Sequence, residues 1–255
     1  MTKKIVAIAG GENGRPLPEG GRAPYDTESI DREIVRLTDK AHPHFLMIAH
    51  SQPTEDRQQF YFEVMRDIYE RYGCECRDLK STELEDLAVV QEKIGWADII
   101  YEGGGDTLSM IALWKRTGFD KVLRQAWEDG KVLCGLSAGG NCWFESCSSD
   151  SLKIIHNDPS QPFIEVDCLG FLKGYFIPHS DVEATRIPDA KENLRDNGRI
   201  GFALSNCAAL EFVDDTYKVL KSADTAFARK LYWKDGICCE EELNTAGSLE
   251  ELYSR

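Results

Sequence analysis

The chain has 255 residues, of which 42% are hydrophobic and 29% charged, an ordinary globular composition that is long enough for a substantial buried core. Its formal net charge of −14 argues against a nucleic-acid partner, because binding to a phosphate backbone needs clustered lysine and arginine. No stretch approaches the length of a membrane span, and the apolar run at residues 5–9 is too short for a signal-peptide core.

The nine cysteines form no CxxC pair, so free thiols in a reducing compartment are expected rather than a disulfide framework. The prediction is a cytoplasmic protein with no membrane partner. Cys142, Cys147 and His156 do not match a common metal-site spacing, and we expect neither a metal nor another cofactor. A homodimer is compatible with the sequence.

Short apolar runs alternate with stretches of helical period up to about residue 136. This alternation predicts an α/β fold with a mainly parallel sheet flanked by helices, in a flavodoxin-like arrangement. The predicted strands are residues 4–9, 44–49, 74–79, 98–101 and 131–136. The predicted helices are residues 27–39, 54–71, 84–94, 107–115 and 119–129.

The pattern is looser beyond residue 145. Residues 146–161 are polar and predict a long loop, residues 175–178 a short strand, and residues 182–195 a helix that Pro188 interrupts. Paired strands are expected at residues 208–213, 217–220 and 227–233. Because neither a repeat nor a linker divides the chain, we expect one domain over residues 1–255.

Residues 135–139 read GLSAG after an apolar strand and before a predicted helix. This is the G-x-S-x-G pattern of a nucleophile elbow, in which a strained turn exposes the serine hydroxyl at a helix N-terminus. Flanking side chains would clash with the neighbouring strand, which is why glycine is needed there. Ser137 is therefore the candidate nucleophile, and a chance match in an ordinary glycine-rich turn is the alternative.

A serine nucleophile needs a base, and the base needs an orienting group. His50 and His179 each end a predicted strand, where the ligand crevice of an open α/β sheet lies. His179 is favoured because Pro178 can hold the strand end extended, and because Asp181 and Glu183 follow in a polar setting.

Residues 103–107, GGGDT, close one strand and open a helix. Such a turn offers backbone N–H groups to an anion. It lacks the spacing of a phosphate loop, but it could supply half of an oxyanion hole beside the N–H of Ala138. The alternative is a helix cap made by Asp106 or Thr107, and both roles can hold together.

Four segments now occur in one order: EGGGDT at 102–107, CGLSAGGN at 134–141, SDS at 149–151 and IPHSD at 177–181. Over roughly residues 3–221 the chain resembles the dipeptidase E and cyanophycinase family of serine peptidases. The resemblance implies a fold like the class I glutamine amidotransferases. It also implies a triad of Ser137, His179 and Asp150, and an oxyanion hole formed by Gly105 and Ala138.

The resemblance further implies that Arg186 pairs with the side chain of an N-terminal aspartate in a small peptide substrate. The family has an asparagine where this chain has Asp106, whose charge would repel an acidic substrate in the same pocket. An ordinary ion pair of Arg186 with Glu183 or Asp189 is the alternative. For the triad acid, Ser149, Glu145 and Asp181 are the nearby alternatives to Asp150.

Three functions follow from these patterns. The first is a serine peptidase that cleaves short peptides, with Asp-X dipeptides among the candidates, through an acyl-enzyme on Ser137. The second is hydrolysis of another amide by the same residues, such as cyanophycin-like β-Asp-Arg chains. The third is a non-catalytic domain whose glycine-rich turns bind a small anion, since a fold alone does not establish catalysis.

Overall fold

The computed structural model describes residues 1–195 and 197–255 of the chain. The described residues form two β-sheets and nine α-helices. The strands are β1 Lys4–Ile8, β2 His44–Met47, β3 Glu75–Asp78, β4 Ile99–Glu102, β5 Val132–Leu136, β6 Phe144–Ser149, β7 Ile164–Asp167, β8 Leu172–Ile177, β9 Gly201–Leu204, β10 Ala208–Val213, β11 Thr216–Lys221, β12 Ala228–Lys234, β13 Ile237–Glu242 and β14 Ala246–Ser248. The helices are α1 Glu28–Arg36, α2 Glu55–Tyr69, α3 Leu87–Trp96, α4 Thr107–Thr117, α5 Phe119–Glu128, α6 Ala138–Asn141, α7 Ser151–His156, α8 Arg186–Asn193 and α9 Leu249–Tyr253.

The first sheet has eight strands in the order β14-β11-β10-β1-β5-β4-β2-β3. The five neighbouring strands β1, β5, β4, β2 and β3 pair in parallel. Strands β10, β11 and β14 extend the sheet beyond β1 by antiparallel pairing. The central parallel strands β1, β4 and β5 are largely apolar and buried, as expected where helices cover both faces, whereas the edge strand β3 is mostly charged and partly exposed. The α/β fold predicted from the first half of the chain is confirmed, with element ends shifted by at most three residues.

A second sheet of six strands has the order β13-β12-β9-β8-β6-β7. Its centre is parallel, because β8 pairs in parallel with both β6 and β9. The long loop predicted for residues 146–161 is wrong: this stretch contains the end of β6 and helix α7. The serines that make it polar in sequence, Ser146, Ser148 and Ser149, are buried within the strand.

Parallel strands direct their carboxyl ends to the same edge of a sheet. In the first sheet, β1 and β5 run side by side, with Ile8 opposite Leu136. In the second sheet, β8 and β9 run side by side, with Ile177 opposite Ala203. The residues that follow these four strands meet where the two sheets come together. Among the described residues, no helix is both long enough and apolar enough to cross a membrane.

Candidate active site

The residue after β5, Ser137, has a backbone conformation that non-glycine residues rarely adopt, with φ of 56° and ψ of −109°. The conformation is held from both sides. The Ser137 N–H donates to the carbonyl of Ile8, and its own carbonyl accepts from the N–H groups of Gly140 and Asn141. The predicted strained turn is thus confirmed, and backbone strain of this kind concentrates at functional sites.

The glycines on either side of the serine are required by the neighbouring strand. A Cβ atom on Gly135 would lie 2.4 Å from the carbonyl oxygen of Glu102, and one on Gly139 would lie 2.1 Å from the same oxygen. Both distances are far below van der Waals contact, so any side chain would push the elbow away from β4. This is the steric reason that the G-x-S-x-G pattern predicts.

His179 lies two residues after β8 and is the base candidate that meets the serine. Its Nε2 is 2.9 Å from the Ser137 Oγ, so the contact expected from the sequence is present. His179 also has a left-handed backbone, with φ of 50°. The other histidine candidate, His50, is buried away from the serine, with its Nε2 at the carbonyl of Leu79 and its Nδ1 accepting from Trp114.

The group that orients His179 is not Asp150. The Nδ1 of His179 is 2.7 Å from the Oδ1 of Asn206, and the Asn206 backbone N–H in turn donates to Asp181. Asp150 lies after β6 on the other side of β8, and its side chain makes no hydrogen bond to His179 in the part of the chain that the structure describes. The expected contact of Asp150 with the far nitrogen is therefore wrong.

Asn206 was missed by the sequence reasoning, although a signal exists. It follows β9 by two residues, just as His179 follows β8 by two, and these strands are parallel neighbours. Polar residues directly after adjacent parallel strands lie at the same sheet edge. The pairing of β8 with β9 had to be known before this rule could be applied.

Glycine is also required at Gly10, the second residue after β1. A Cβ atom there would lie 2.0 Å from the Oδ1 of Asn206 and 2.4 Å from the Nδ1 of His179. The first sheet therefore approaches the histidine–asparagine pair so closely that any side chain at this position would separate the two residues.

Burial is the main influence on the pKa of His179 and lowers it below the ordinary value of histidine. The hydrogen bond with Asn206 opposes this effect, and the charge of Arg186 adds to the lowering, while the charges of Glu183 and Asp150 raise the pKa slightly. The ring is therefore neutral at neutral pH, with a free lone pair for the serine proton.

On the opposite side of the serine lies the glycine turn after β4. The backbone N–H groups of Gly104, Gly105 and Ala138 donate no hydrogen bond within residues 1–195 and 197–255. A Cβ atom on Gly104 would lie 3.5 Å from the Cβ of Ser137, which shows how close this turn is to the hydroxyl. Free backbone donors beside a serine are the components of an oxyanion hole.

The buried carboxyl group of Glu102 holds this turn in place. The Oε1 of Glu102 accepts from the N–H of Ser51 at 3.1 Å, from the Ser51 hydroxyl at 2.9 Å and from the N–H of Gly103 at 3.0 Å, while Oε2 accepts from the N–H of His50 at 3.1 Å. Burial raises the pKa of Glu102 to about 8, against the lowering effect of these hydrogen bonds. The sequence reasoning gave Glu102 no role.

The two residues expected to contact substrate are engaged within the protein. Asp106 is buried and caps α4, accepting from the N–H of Ser109 at 3.2 Å, as the capping alternative predicted. Arg186 is only 1% exposed. It forms an ion pair with Glu183, donates to the carbonyl of Ser148 at 3.2 Å and lies over the ring of Phe163.

A strained serine after a parallel strand, with an imidazole at hydrogen-bond distance and free backbone donors opposite, is the arrangement of an α/β serine hydrolase. The model of peptidase family S51 matches residues 20–220. The chain therefore belongs to peptidase family S51, the dipeptidase E family, and is a serine-type peptidase.

Individual relatives agree with the family. The uncharacterized peptidase YgaJ of Bacillus subtilis (strain 168) is 33% identical over 219 residues, which cover 84% of each chain. The crystal structure of a peptidase from an acI-B1 actinobacterium has a TM-score of 0.70 at 22% identity over 97% of each chain. A putative peptidase E from Listeria monocytogenes EGD-e has a TM-score of 0.60 at 17% identity, covering 87% of this chain and 99% of that one. At these identities the two structures show a shared fold.

Proposed function

We propose that this peptidase hydrolyses short peptides through an acyl-enzyme on Ser137. The observation that supports this most directly is the 2.9 Å distance between the Ser137 Oγ and the His179 Nε2, which is within reach for proton transfer. As the Oγ attacks the scissile carbonyl carbon, Nε2 takes the hydroxyl proton. Asn206 holds the ring in the tautomer that leaves Nε2 free to accept it.

The carbonyl oxygen becomes an anion in the tetrahedral intermediate. The N–H groups of Gly105 and Ala138, with that of Gly104 beside them, are the proposed donors to this oxyanion. Collapse of the intermediate breaks the C–N bond, and the imidazolium gives its proton to the leaving amine. Water then attacks the acyl-enzyme with His179 again as the base, which releases the carboxylic acid and restores the Ser137 hydroxyl.

An active-site probe tests the mechanism. A fluorophosphonate should label the wild-type protein and leave the Ser137→Ala variant unlabelled, because labelling requires an activated hydroxyl. Ser146→Ala is a matched control, since this serine is buried in β6, and its variant should label normally. An unlabelled wild-type protein would instead favour the non-catalytic anion-binding alternative.

The finer proposal is a preference for Asp-X dipeptides set by Arg186. The guanidinium is close enough for its charge to lower the pKa of His179, and its Nη2 has no hydrogen-bond partner among the described residues. A substrate carboxylate would have to replace Glu183 as its partner, because Arg186 is buried in that ion pair. A bidentate arginine–carboxylate pair is a geometry that lysine cannot reproduce.

Comparing Asp-Leu with Ala-Leu tests this preference. Arg186→Lys should lower kcat/KM for Asp-Leu selectively, by about 10- to 100-fold, and leave Ala-Leu nearly unchanged. Arg199→Lys is the matched control, since Arg199 is also ion-paired, with Glu165. Equal losses on both peptides would reduce Arg186 to a structural role. Selective cleavage of β-Asp-Arg would favour the cyanophycin-like alternative.

We also propose that the enzyme works in the cytoplasm. The support is chemical, because all nine cysteines are free thiols in the structure, as expected of a reducing compartment. Titration of the denatured, non-reduced protein isolated from its source should find these thiols unpaired. Disulfides in that sample would contradict the proposed location.

A further inference from the structure

A cavity of about 690 Å³ opens beside the candidate nucleophile, a volume within the range of small-ligand sites. Gly104 and Leu136, the immediate neighbours of Ser137 on the oxyanion side and along the chain, form one of its walls. Another wall comes from the loop after β1. Two antiparallel bridges, between residues 13 and 25 and between residues 16 and 22, close this loop into a hairpin. A residue of a bound peptide next to the scissile bond would lie in this cavity.

Two arginines line the cavity, and they differ in how their charge is compensated. Arg15 forms a two-pronged ion pair with Glu12, with both N–O distances at 3.0 Å, and Glu12 also lines the cavity. Arg57 makes no ion pair with any residue that the structure describes. The cavity wall therefore has one uncompensated charge, and it is positive.

Arg57 is directed by its neighbours without being neutralised by them. Its Nε donates to the Oε1 of Gln52 at 3.4 Å, and its guanidinium lies 5.7 Å from the centre of the Tyr61 ring. The other end of Gln52 donates from Nε2 to the carbonyl of Gly104. The side chain of Gln52 thus links the arginine to the glycine turn beside Ser137, while neither Nη group of Arg57 has a hydrogen-bond partner among the described residues.

We propose that Arg57 binds the free C-terminal carboxylate of the residue that leaves as the amine, so that the enzyme selects peptides that end directly after the scissile bond. This inference rests on the proposed acyl-enzyme mechanism. The occupant is the carboxylate end because a substrate ammonium group would find only Glu12, which Arg15 already neutralises. The protein as a whole has a net charge of −14. An arginine without an ion-pair partner gives the cavity a local positive charge, which attracts an anion.

Removing only the carboxylate from the substrate tests this inference. Wild-type enzyme should cleave Ala-Leu with a kcat/KM about 10- to 100-fold above that for Ala-Leu amide, mainly through KM, because a charge-assisted hydrogen bond is lost. Arg57→Ala should lower the value for Ala-Leu to that for the amide and leave the amide unchanged. Arg57→Lys should keep part of the preference, since a point charge remains.

Arg66→Ala is the matched control, because Arg66 lies on the same helix but does not line the cavity, and it should cleave both peptides like the wild type. Equal cleavage of acid and amide by wild-type enzyme, or equal losses on both in Arg57→Ala, would overturn the proposal. A loss confined to Asp-Leu amide relative to Ala-Leu amide would also overturn it, since Arg57 would then recognise an acidic side chain.

Calorimetric binding to the Ser137→Ala variant separates this inference from the proposed mechanism, because it needs no turnover. Ala-Leu should bind at least about 10-fold more tightly than its amide, and Arg57→Ala in the same background should remove the difference. If wild-type enzyme cleaves neither peptide but this difference is present, the mechanism fails and the carboxylate site stands. If the difference is absent, the carboxylate site fails whatever the turnover.

Discussion

On one side of Ser137 the neighbouring groups are side chains, whereas on the other side they are backbone amides. The first side is a series of single hydrogen bonds, from Ser137 to His179 and from His179 to Asn206, between residues brought together from both sheets. The second is a glycine turn that the buried carboxyl group of Glu102 holds through four hydrogen bonds.

The two sides should tolerate different changes. A series of single contacts loses most of its effect when any one side chain is removed. A turn held by several hydrogen bonds loses only part of its order when one of them is broken, and its donors are backbone N–H groups, which only a substitution by proline would remove. We therefore expect substitutions on the histidine side to reduce activity more than those on the glycine-turn side.

The largest effect is expected from Asn206→Ala. Without the Oδ1 acceptor the His179 ring loses its orientation and tautomer, and kcat/KM should fall by about 10²- to 10⁴-fold, the usual contribution of a positioned base. Asp150→Asn serves as the matched comparison and should stay within about twofold of wild type. Steady-state kinetics on one dipeptide measures both, and the reverse ranking would restore Asp150 as the orienting group.

Gly10→Ala should disrupt the histidine side through a steric clash. The added methyl group would lie 2.0 Å from the Asn206 Oδ1, so the histidine–asparagine pair must move apart, and a misplacement of about 1 Å can cost roughly 10²-fold in rate. Gly95→Ala is the control, because a Cβ there meets nothing within 4 Å. Near-normal activity of Gly10→Ala would show that the pair adjusts without loss.

Glu102→Gln tests the glycine-turn side and should be milder. Glutamine keeps one acceptor oxygen but turns an NH₂ group towards one of the backbone donors, so the turn loosens, and we expect about a 10-fold fall in kcat with little change in KM. Glu211→Gln, another buried carboxyl outside the site, controls for loss of a buried carboxyl and should leave kcat unchanged. A loss as large as that of Asn206→Ala would contradict the comparison.

The smallest effect is a shift in pH dependence. The reaction needs neutral His179, so kcat/KM should rise with pH through the pKa of this residue, and burial keeps that pKa below about 6.5. Asn206→Asp places a carboxylate at Nδ1, which stabilises the imidazolium and should move the acid limb upward by about one unit. If the acid limb of the kcat/KM profile is unchanged in this variant, the limb reports the titration of a group other than His179.

Local patterns in the sequence were enough to predict the elbow and to single out His179 as the candidate base. Residues 135–139 specify a strained turn through their own glycines, and His179 follows a short apolar run that is typical of a strand. The polar stretch from residue 146 was misread because its serines, though hydrophilic, are small enough to be buried in β6. Their strand pairs with β7 and β8, and this pairing satisfies a backbone whose side chains alone suggest a loop.

The α/β class, the candidate nucleophile and the candidate base could all be predicted from the chain alone, because each depends on local patterns of consecutive residues. The contact of the histidine with Asn206 rather than with Asp150 is visible only once the strands are packed together. Asp150 and Asn206 both follow strands adjacent to β8. Which of them the His179 ring faces depends on how the two sheets pack together. The cavity with Arg15 and Arg57 was likewise hidden, because a loop and a helix far apart in the chain form its walls. Whether one charged side chain neutralises another depends on the distance between them in space, and this distance cannot be read from their separation in the sequence.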